Sequence, residues 1–219
     1  MSILLLGGSP SVPSSSSRLL LHIGEKLAAQ GHRYQRVHVR DLPARALLLG
    51  DGTDTAIRRA TDAVAAAHAI VIATPIYKAS YSGVLKAFLD LLPQDGLAGK
   101  IILPIATGGS QSHMLALDYA LRPVLHALAA RQVLTGIYAT SQQLQWHDEE
   151  GLSLAAPIAA RVAAGVEELA SALAPLQRAR LAAAVSAATS ASSALASSSL
   201  AAPVRSLQDH PYTPSTQAA

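Results

Sequence analysis

Ile3-Leu4-Leu5-Leu6-Gly7-Gly8-Ser9-Pro10-Ser11-Val12-Pro13-Ser14-Ser15-Ser16-Ser17-Arg18-Leu19-Leu20-Leu21-His22-Ile23 is the stretch on which the fold turns. A short apolar run ending at paired glycines reads as a buried parallel strand. Ser16 or Ser17 then caps a helix reaching about Ala29, with Leu19, Leu20, Ile23 and Leu27 on one face. Strand, glycine turn and helix recur along the chain. Gly31 closes the first helix, and Tyr34–Val39 reads as a second strand. Thr53 and Asp54 open a helix to Ala67, and Ala69–Ala73 is a third strand. Ser82–Leu92 is helical, Ile101–Ala106 a fourth strand, Ser112–Ala130 a long helical segment and Val133–Tyr138 a fifth strand. Leu154–Leu173 supplies a closing helix that stops at Pro175. Five strands interleaved with five helices predict an α/β fold with an open, doubly wound parallel sheet.

The chain has 219 residues, half of them hydrophobic and 14% charged, which excludes wholesale disorder and suits one domain with a tail. Residues 181–219 differ in kind: Ala and Ser dominate, and only Arg205 and Asp209 are charged. The reading is a domain over 1–180, followed by a frayed helix that runs into a disordered tail. Net charge is +3, with a sequence pI near 9.4, and the cations are dispersed rather than clustered. Nucleic acid is therefore not the partner this pattern points to. There is no cysteine, which removes disulfides, zinc–thiolate sites, iron–sulfur clusters and a thiol nucleophile. Mean hydropathy of +0.30 owes much to alanine, and the charge-free stretch 181–204 is too rich in Ser and Thr to enter lipid well. The N-terminus lacks a basic, signal-like segment. A soluble, cytoplasmic protein is expected, with no membrane span.

Ligands of a doubly wound sheet bind at the carboxyl ends of its strands. Three loops fall there. The first, Gly7 to Ser17, leads into a helix N-terminus whose free N–H groups favour an anion, and the five serines Ser11, Ser14, Ser15, Ser16 and Ser17, beside Ser9, add neutral donors suited to a phosphate monoester. It lacks the Lys-Ser/Thr of a Walker loop, a G-x-G-x-x-G and a G-x-S-x-G elbow. The second, Thr74-Pro75-Ile76-Tyr77-Lys78-Ala79-Ser80-Tyr81-Ser82-Gly83, can wall a planar ring and present backbone N–H groups to its heteroatoms. The third, Thr107-Gly108-Gly109-Ser110-Gln111, lets backbone approach a ligand closely. A polar turn, packed tyrosines and a glycine-rich turn are the plain readings of each loop taken alone.

Pro123 lies inside a predicted helix. It cannot donate to the carbonyl of Tyr119, and its ring crowds that carbonyl, so the chain predicts a kink or a π-bulge at Tyr119. The histidines are scattered, and His147-Asp148-Glu149-Glu150 lacks metal-ligand spacing and reads as a solvated loop. No metal site is predicted. Asp90 and Asp118 read as helix-face or capping residues, and His113 stands just beyond the third loop.

Taken together, Gly8-Ser9-Pro10 with its serines, Ala73 to Gly83, and Leu103-Pro104-Ile105-Ala106-Thr107-Gly108-Gly109 resemble the NAD(P)H-dependent FMN reductases. Within these the chain is most similar to the reductases of alkanesulfonate-utilisation two-component systems. The resemblance covers roughly residues 1–175. It implies a flavodoxin-like fold with five strands in the order 2-1-3-4-5. FMN phosphate is then expected on Ser9, Ser11, Ser15, Ser16 and Ser17. The flavin ring is expected between Pro75-Ile76-Tyr77-Lys78-Ala79-Ser80 and Thr107-Gly108-Gly109. NADPH, or NADH, would be the reductant, and reduced FMN would go to a separate flavin-dependent monooxygenase. The resemblance also implies a homotetramer in which Tyr119, at a π-bulge, affects flavin release and subunit packing. Relatives carry arginines where this chain has Ser11 and Ser15; the first nearby cation is Arg18. Loose FMN binding is expected from that loss of charge-assisted bonds. The alternatives are an FMN-containing quinone, azo or metal reductase, or a non-enzymatic flavin electron carrier.

Overall fold

The computed structural model describes residues 1–147 and 151–198. Its first unit, Met1–Gln177, is built on a sheet of seven strands. Five lie on the main path: β1 (Ser2–Gly7), β2 (Arg33–His38), β3 (Ala69–Tyr77), β5 (Ile101–Gly108) and β6 (Gln132–Val133), in the order β2-β1-β3-β5-β6 and all parallel. β4 (Ser80–Tyr81) pairs antiparallel with β3, and β7 (Ile137–Thr140) pairs parallel with β5. The expectation of five strands is thus corrected to seven. The predicted third strand does not stop at Ala73; it runs on to Tyr77 and turns back as a hairpin. The predicted fifth strand is broken. At the break, Gly136 lies so close to the segment that follows β5 that a Cβ there would meet Leu117 Cδ1 at 2.9 Å. Arg122 Nη1 and Nη2 donate to the carbonyls of Val133 and Leu134 at 3.3 and 3.4 Å, replacing ladder partners.

Strand periodicity divides the core. Ile3, Leu5, Val71, Leu103 and Ile105 point to one face, where α1 (Ser15–Ala29) and α6 (Ala156–Ser198) cover them with Leu19, Ile23, Leu27, Ile158, Val162 and Leu169. Leu4, Leu6, Ile70, Ile72 and Ile102 point to the other, under α3 (Thr55–Ala66), α4 (Gly83–Leu89) and α5 (Arg122–Ala127), with α2 (Ala44–Leu49) at its margin. Each helix start has a local cause. Ser14 accepts from the Ser17 N–H and caps α1, Asp54 accepts from Ala56 and Ile57 and caps α3, and Ser82 accepts from Leu85 and caps α4. Lys100 closes α3 at its other end by donating to the Ala65 and Ala67 carbonyls at 2.8 and 2.9 Å. Burial holds its ammonium pKa below the ordinary value.

Three expectations change. The long helix over 112–130 is instead a 3-10 turn (Gln111–His113), a π-helix (Leu117–Leu121) and α5. The predicted irregularity at Tyr119 is present: the Arg122 N–H reaches back five residues to the Leu117 carbonyl. A two-stranded hairpin, β8 (Leu144–His147) and β9 (Gly151–Leu154), precedes α6 and was not anticipated. α6 itself passes through Pro175 to Ser198, because losing one donor does not outweigh the helix preference of the alanine-rich sequence that follows. Beyond Leu173 none of the described side chains is buried. Residues 148–150 of the acidic cluster and 199–219 of the tail lie outside the described residues. The second unit begins at Arg178, and among the described residues no helix is long and apolar enough to cross a membrane.

His22, His32 and His38 are each held below the ordinary imidazole pKa, first by burial. The folded state therefore binds fewer protons than the unfolded one. Stability is complete above the unfolded value of about 6.5 and is lost as pH falls through it. The melting temperature is expected to drop between about pH 7.5 and about pH 5.5, with His38→Gln flattening that slope.

Candidate flavin site at the strand ends

Three loops converge at the carboxyl edge of the sheet because β1, β3 and β5 are neighbours and in register there: Gly7 pairs with Ala73, and Pro75 with Thr107. The Gly8 N–H donates to the Ala73 carbonyl at 2.7 Å, while the Ser82 hydroxyl donates to the Gly8 carbonyl. Ser82 N–H in turn donates to the buried Thr74 hydroxyl at 3.0 Å. First and second loops are therefore tied together by buried hydrogen bonds. The third loop is held by Tyr138, whose hydroxyl donates to the Ser110 carbonyl at 2.6 Å. Burial raises the phenol's pKa, keeping it a neutral donor. A Cβ on Gly108 would run into that hydroxyl, so the close approach requires glycine.

A cavity of about 260 Å³ opens between these loops. Ser9, Ser11 and Ser15 line it from the first loop, Pro75, Ile76 and Tyr77 from the second, and Thr107, Gly108 and Gly109 from the third. Nine predicted residues thus share one cavity. Ser16 and Ser17 do not line it: the Ser16 hydroxyl is buried against that of Ser14 at 3.0 Å, and the Ser17 hydroxyl faces Arg40. Lys78, Ala79 and Ser80 form the tip and return of the β3–β4 hairpin and also lie outside its lining. Lys78 and Ala79 have φ of 48° and 62°, consecutive left-handed positions without glycine. Such strain collects at ligand sites. Ala79→Gly is expected to raise unfolding free energy by about 1 kcal/mol in a urea titration.

Tyr119 is 79% exposed on the π-helix and lines no part of this cavity. The larger cavity, about 660 Å³, lies beside that π-helix, against β6, β7 and α6, and shares no lining residue with the cavity between the loops. His113 is half-buried outside both. Asp90 and Asp118 pair with Lys86 and Arg122 at 2.6 and 3.1 Å.

Arg18 does not reach over the helix start; its guanidinium stacks 4.2 Å above the Trp146 ring. The cation nearest the serine loop is Arg40, just past β2, whose Nη1 donates to the Ser11 carbonyl at 2.9 Å and the Ser17 hydroxyl at 3.3 Å. Ser14, one of the loop's serines, also lines the cavity, as does Ser141, which was missed as a site residue. Arg40 and Ser141 both follow carboxyl ends of strands, so the strand-end rule itself was the signal that should have found them.

The donors fit a flavin mononucleotide. As the first two residues of α1, Ser15 and Ser16 have N–H groups with no intrahelical acceptor, beside neutral hydroxyls and a guanidinium. The apolar Pro75 and Ile76 face the same cavity as the glycine backbone of the third loop.

Comparison with known proteins agrees. The family model described as NADPH-dependent FMN reductase matches residues 1–145. An FMN reductase (NADPH) of Pseudomonas putida KT2440 is 47% identical over 146 residues, spanning 67% of this chain and 74% of the relative. The FMN reductase (NADPH) of Escherichia coli K12 is 43% identical over 148 residues, spanning 67% and 78%. The crystal structure of the apo form of an NADH:FMN oxidoreductase, EMOB, superposes with a TM-score of 0.71 at 40% identity, covering 77% of this chain and 87% of that one. By its sequence, its flavodoxin-like sheet and the loops gathered at that sheet's edge, the chain belongs to the NADPH-dependent FMN reductase family of oxidoreductases.

Proposed function

We propose that this protein oxidises NADPH, or NADH, to reduce FMN in the cytoplasm, and releases reduced FMN to a separate flavin-dependent monooxygenase of alkanesulfonate use. The observation that carries the reductase reading is the single cavity shared by the serine, Pro-Ile-Tyr and Thr-Gly-Gly loops. When bound, FMN supplies a ring that accepts hydride from nicotinamide. The chain holds the phosphate end with the Ser15 and Ser16 N–H groups and the Ser9, Ser11 and Ser14 hydroxyls. Pro75, Ile76 and Tyr77, with Lys78, Ala79 and Ser80 at the hairpin tip, wall the ring on one side, and Thr107, Gly108 and Gly109 on the other. Backbone dipoles of the second and third loops face the acceptor ring without reorganising. No side chain acts as acid or base; positioning carries the rate. NADPH is the preferred donor, a choice supported by the names of the two bacterial relatives.

Release to a partner is supported by the residues of the first loop, which carries Ser11 and Ser15 where a tight holder would carry arginines. Met114, Leu115 and Tyr119 expose large apolar side chains around the π-helix, which supports a homotetramer assembled there. Tyr119→Ala is expected to shift the tetramer towards smaller species in light scattering and to change FMN affinity severalfold. A variant with wild-type assembly, affinity and turnover removes that role. The reductase domain is placed over residues 1–180.

The deciding assay is anaerobic NADPH oxidation with and without added FMN. Free reduced FMN accumulating in proportion to NADPH consumed supports the reading. Reduction of a bound flavin that then stops overturns it, in favour of a quinone, azo or metal reductase or an electron carrier.

A further inference from the structure

Arg36 and His38 occupy alternate positions on edge strand β2, and Arg40 follows two residues on. A two-residue period sends such side chains to one face. That face is the one covered by α1: Tyr34, two residues before Arg36, lies against Gly24 of α1, where a Cβ would come within 3.2 Å of its ring. Arg36, His38 and Arg40 meet Ser14, Ser17 and Arg18 around a cavity of about 240 Å³. Pro13 and Ser14 line both this cavity and the one between the three loops, so the two are neighbours.

Its electrostatics are one-sided. Arg40 Nε has Asp41 Oδ1 at 3.6 Å, an acid that is largely exposed, and no hydrogen-bond partner. Neither Arg18 nor Arg36 has a carboxylate within ion-pair distance among the described residues. His38, held below its ordinary pKa by burial and then by Arg40, is neutral near pH 7, and its buried Nδ1 has no partner. The Arg36 and Arg40 guanidiniums and the Ser17 hydroxyl beside one small cavity, with Arg40 Nε unpartnered, are a surplus of positive, planar hydrogen-bonding groups. Guanidiniums match the oxygens of a phosphate better than any other side chain.

We infer that Arg36 and Arg40, with Ser17, form a subsite for a phosphate monoester dianion beside the serine loop. On the flavin-reductase reading, which this inference deepens, two ligands carry that group: FMN at its 5′ end and NADPH at its 2′ position. Each has a partner lacking it, riboflavin and NADH.

Calorimetric titration of the wild-type protein, Arg36→Gln and Arg40→Gln with FMN, riboflavin, NADP⁺ and NAD⁺ tests this. Arg36→Gln is expected to weaken one phosphorylated ligand about ten- to a hundredfold and its unphosphorylated partner by less than about twofold. A loss for FMN over riboflavin assigns the subsite to the flavin; a loss for NADP⁺ over NAD⁺ assigns it to the coenzyme. Arg36 makes no hydrogen bond to the loop, so its variant reports on charge without moving Ser11, whereas Arg40→Gln is expected to add a loop effect on all flavins. Unchanged ratios for both pairs in both variants, with wild-type melting temperatures, overturn the inference and leave Arg36 an ordinary edge-strand charge. Turnover of the wild-type protein is measured separately: its absence would overturn the reductase reading while the binding ratios still decide the subsite.

Discussion

Gly8→Val is expected to lose between about 2 and 5 kcal/mol of stability and at least about a hundredfold in kcat/KM for FMN. The reason is crowding at a point where backbone, core and site coincide. A Cβ at Gly8 would lie 2.7 Å from the Cβ of Leu85, with Leu85 Cγ and Cδ2 at 3.1 Å. Leu85 is fully buried, and the nearest atom is its Cβ, so no rotamer change relieves the clash. Either α4 or the serine loop must move. Moving the loop breaks the Gly8 to Ala73 bond and the bond that the Ser82 hydroxyl makes to Gly8, and so uncouples the first loop from the second. Displacement of about 1 Å at a positioning loop is enough for the stated rate loss. Urea unfolding and steady-state kinetics with FMN measure both effects. Gly52→Ala, at an exposed position with nothing within 4 Å of a new Cβ, is the control and should change stability by no more than about 0.5 kcal/mol. Wild-type turnover in Gly8→Val would show that the first loop does not position the flavin.

Phe88→Ala is expected to cost about 3–5 kcal/mol, a large share of a typical domain's stability. Phe88 is the only phenylalanine in the chain and is fully buried on the α4 face of the sheet, in one cluster with Val39, Leu47, Ile72 and Leu92. The cluster's other rings are Tyr138, whose hydroxyl is tied to the Ser110 carbonyl, and the half-buried Tyr81 packed against it; the rest is aliphatic. A midpoint shift without a change in urea m-value is the expected signature. A loss below about 1 kcal/mol would mean that α4 collapses onto the sheet and closes the cavity. Ser82 caps α4 and bonds to Gly8, so a collapse of that kind should also raise the KM for FMN.

Much of this was legible in the residues. Ile3–Leu6 followed by Gly7-Gly8 announces a buried strand and a turn, since a charge-free run bounded by glycine has few other stable uses. Pro123 announces the defect at Tyr119, because a missing donor acts locally whatever the tertiary context. The three loops that line one cavity were legible because each follows a strand whose register is set by hydrophobic pattern. What failed were features settled by distant partners. The split of the fifth strand depends on Leu117 and on the guanidinium of Arg122. The hairpin at Lys78-Ala79 has none of the Asn-Gly chemistry that marks such turns.

The sequence by itself determined the alternation of strand and helix, the parallel sheet, the family and the three loops. The alternation, the sheet and the placing of the loops follow from periodicity, caps and turn residues acting over a few positions; the family rests on the resemblance of the motifs that the three loops carry. Only the tertiary structure decided which cation serves the serine loop. Arg18 is adjacent in sequence, yet its guanidinium lies on Trp146, while Arg40 arrives from the next strand to hold Ser11 and Ser17. A side chain's reach is set by strand pairing and by the surface it can stack on, and neither is written in the spacing of neighbours along the chain.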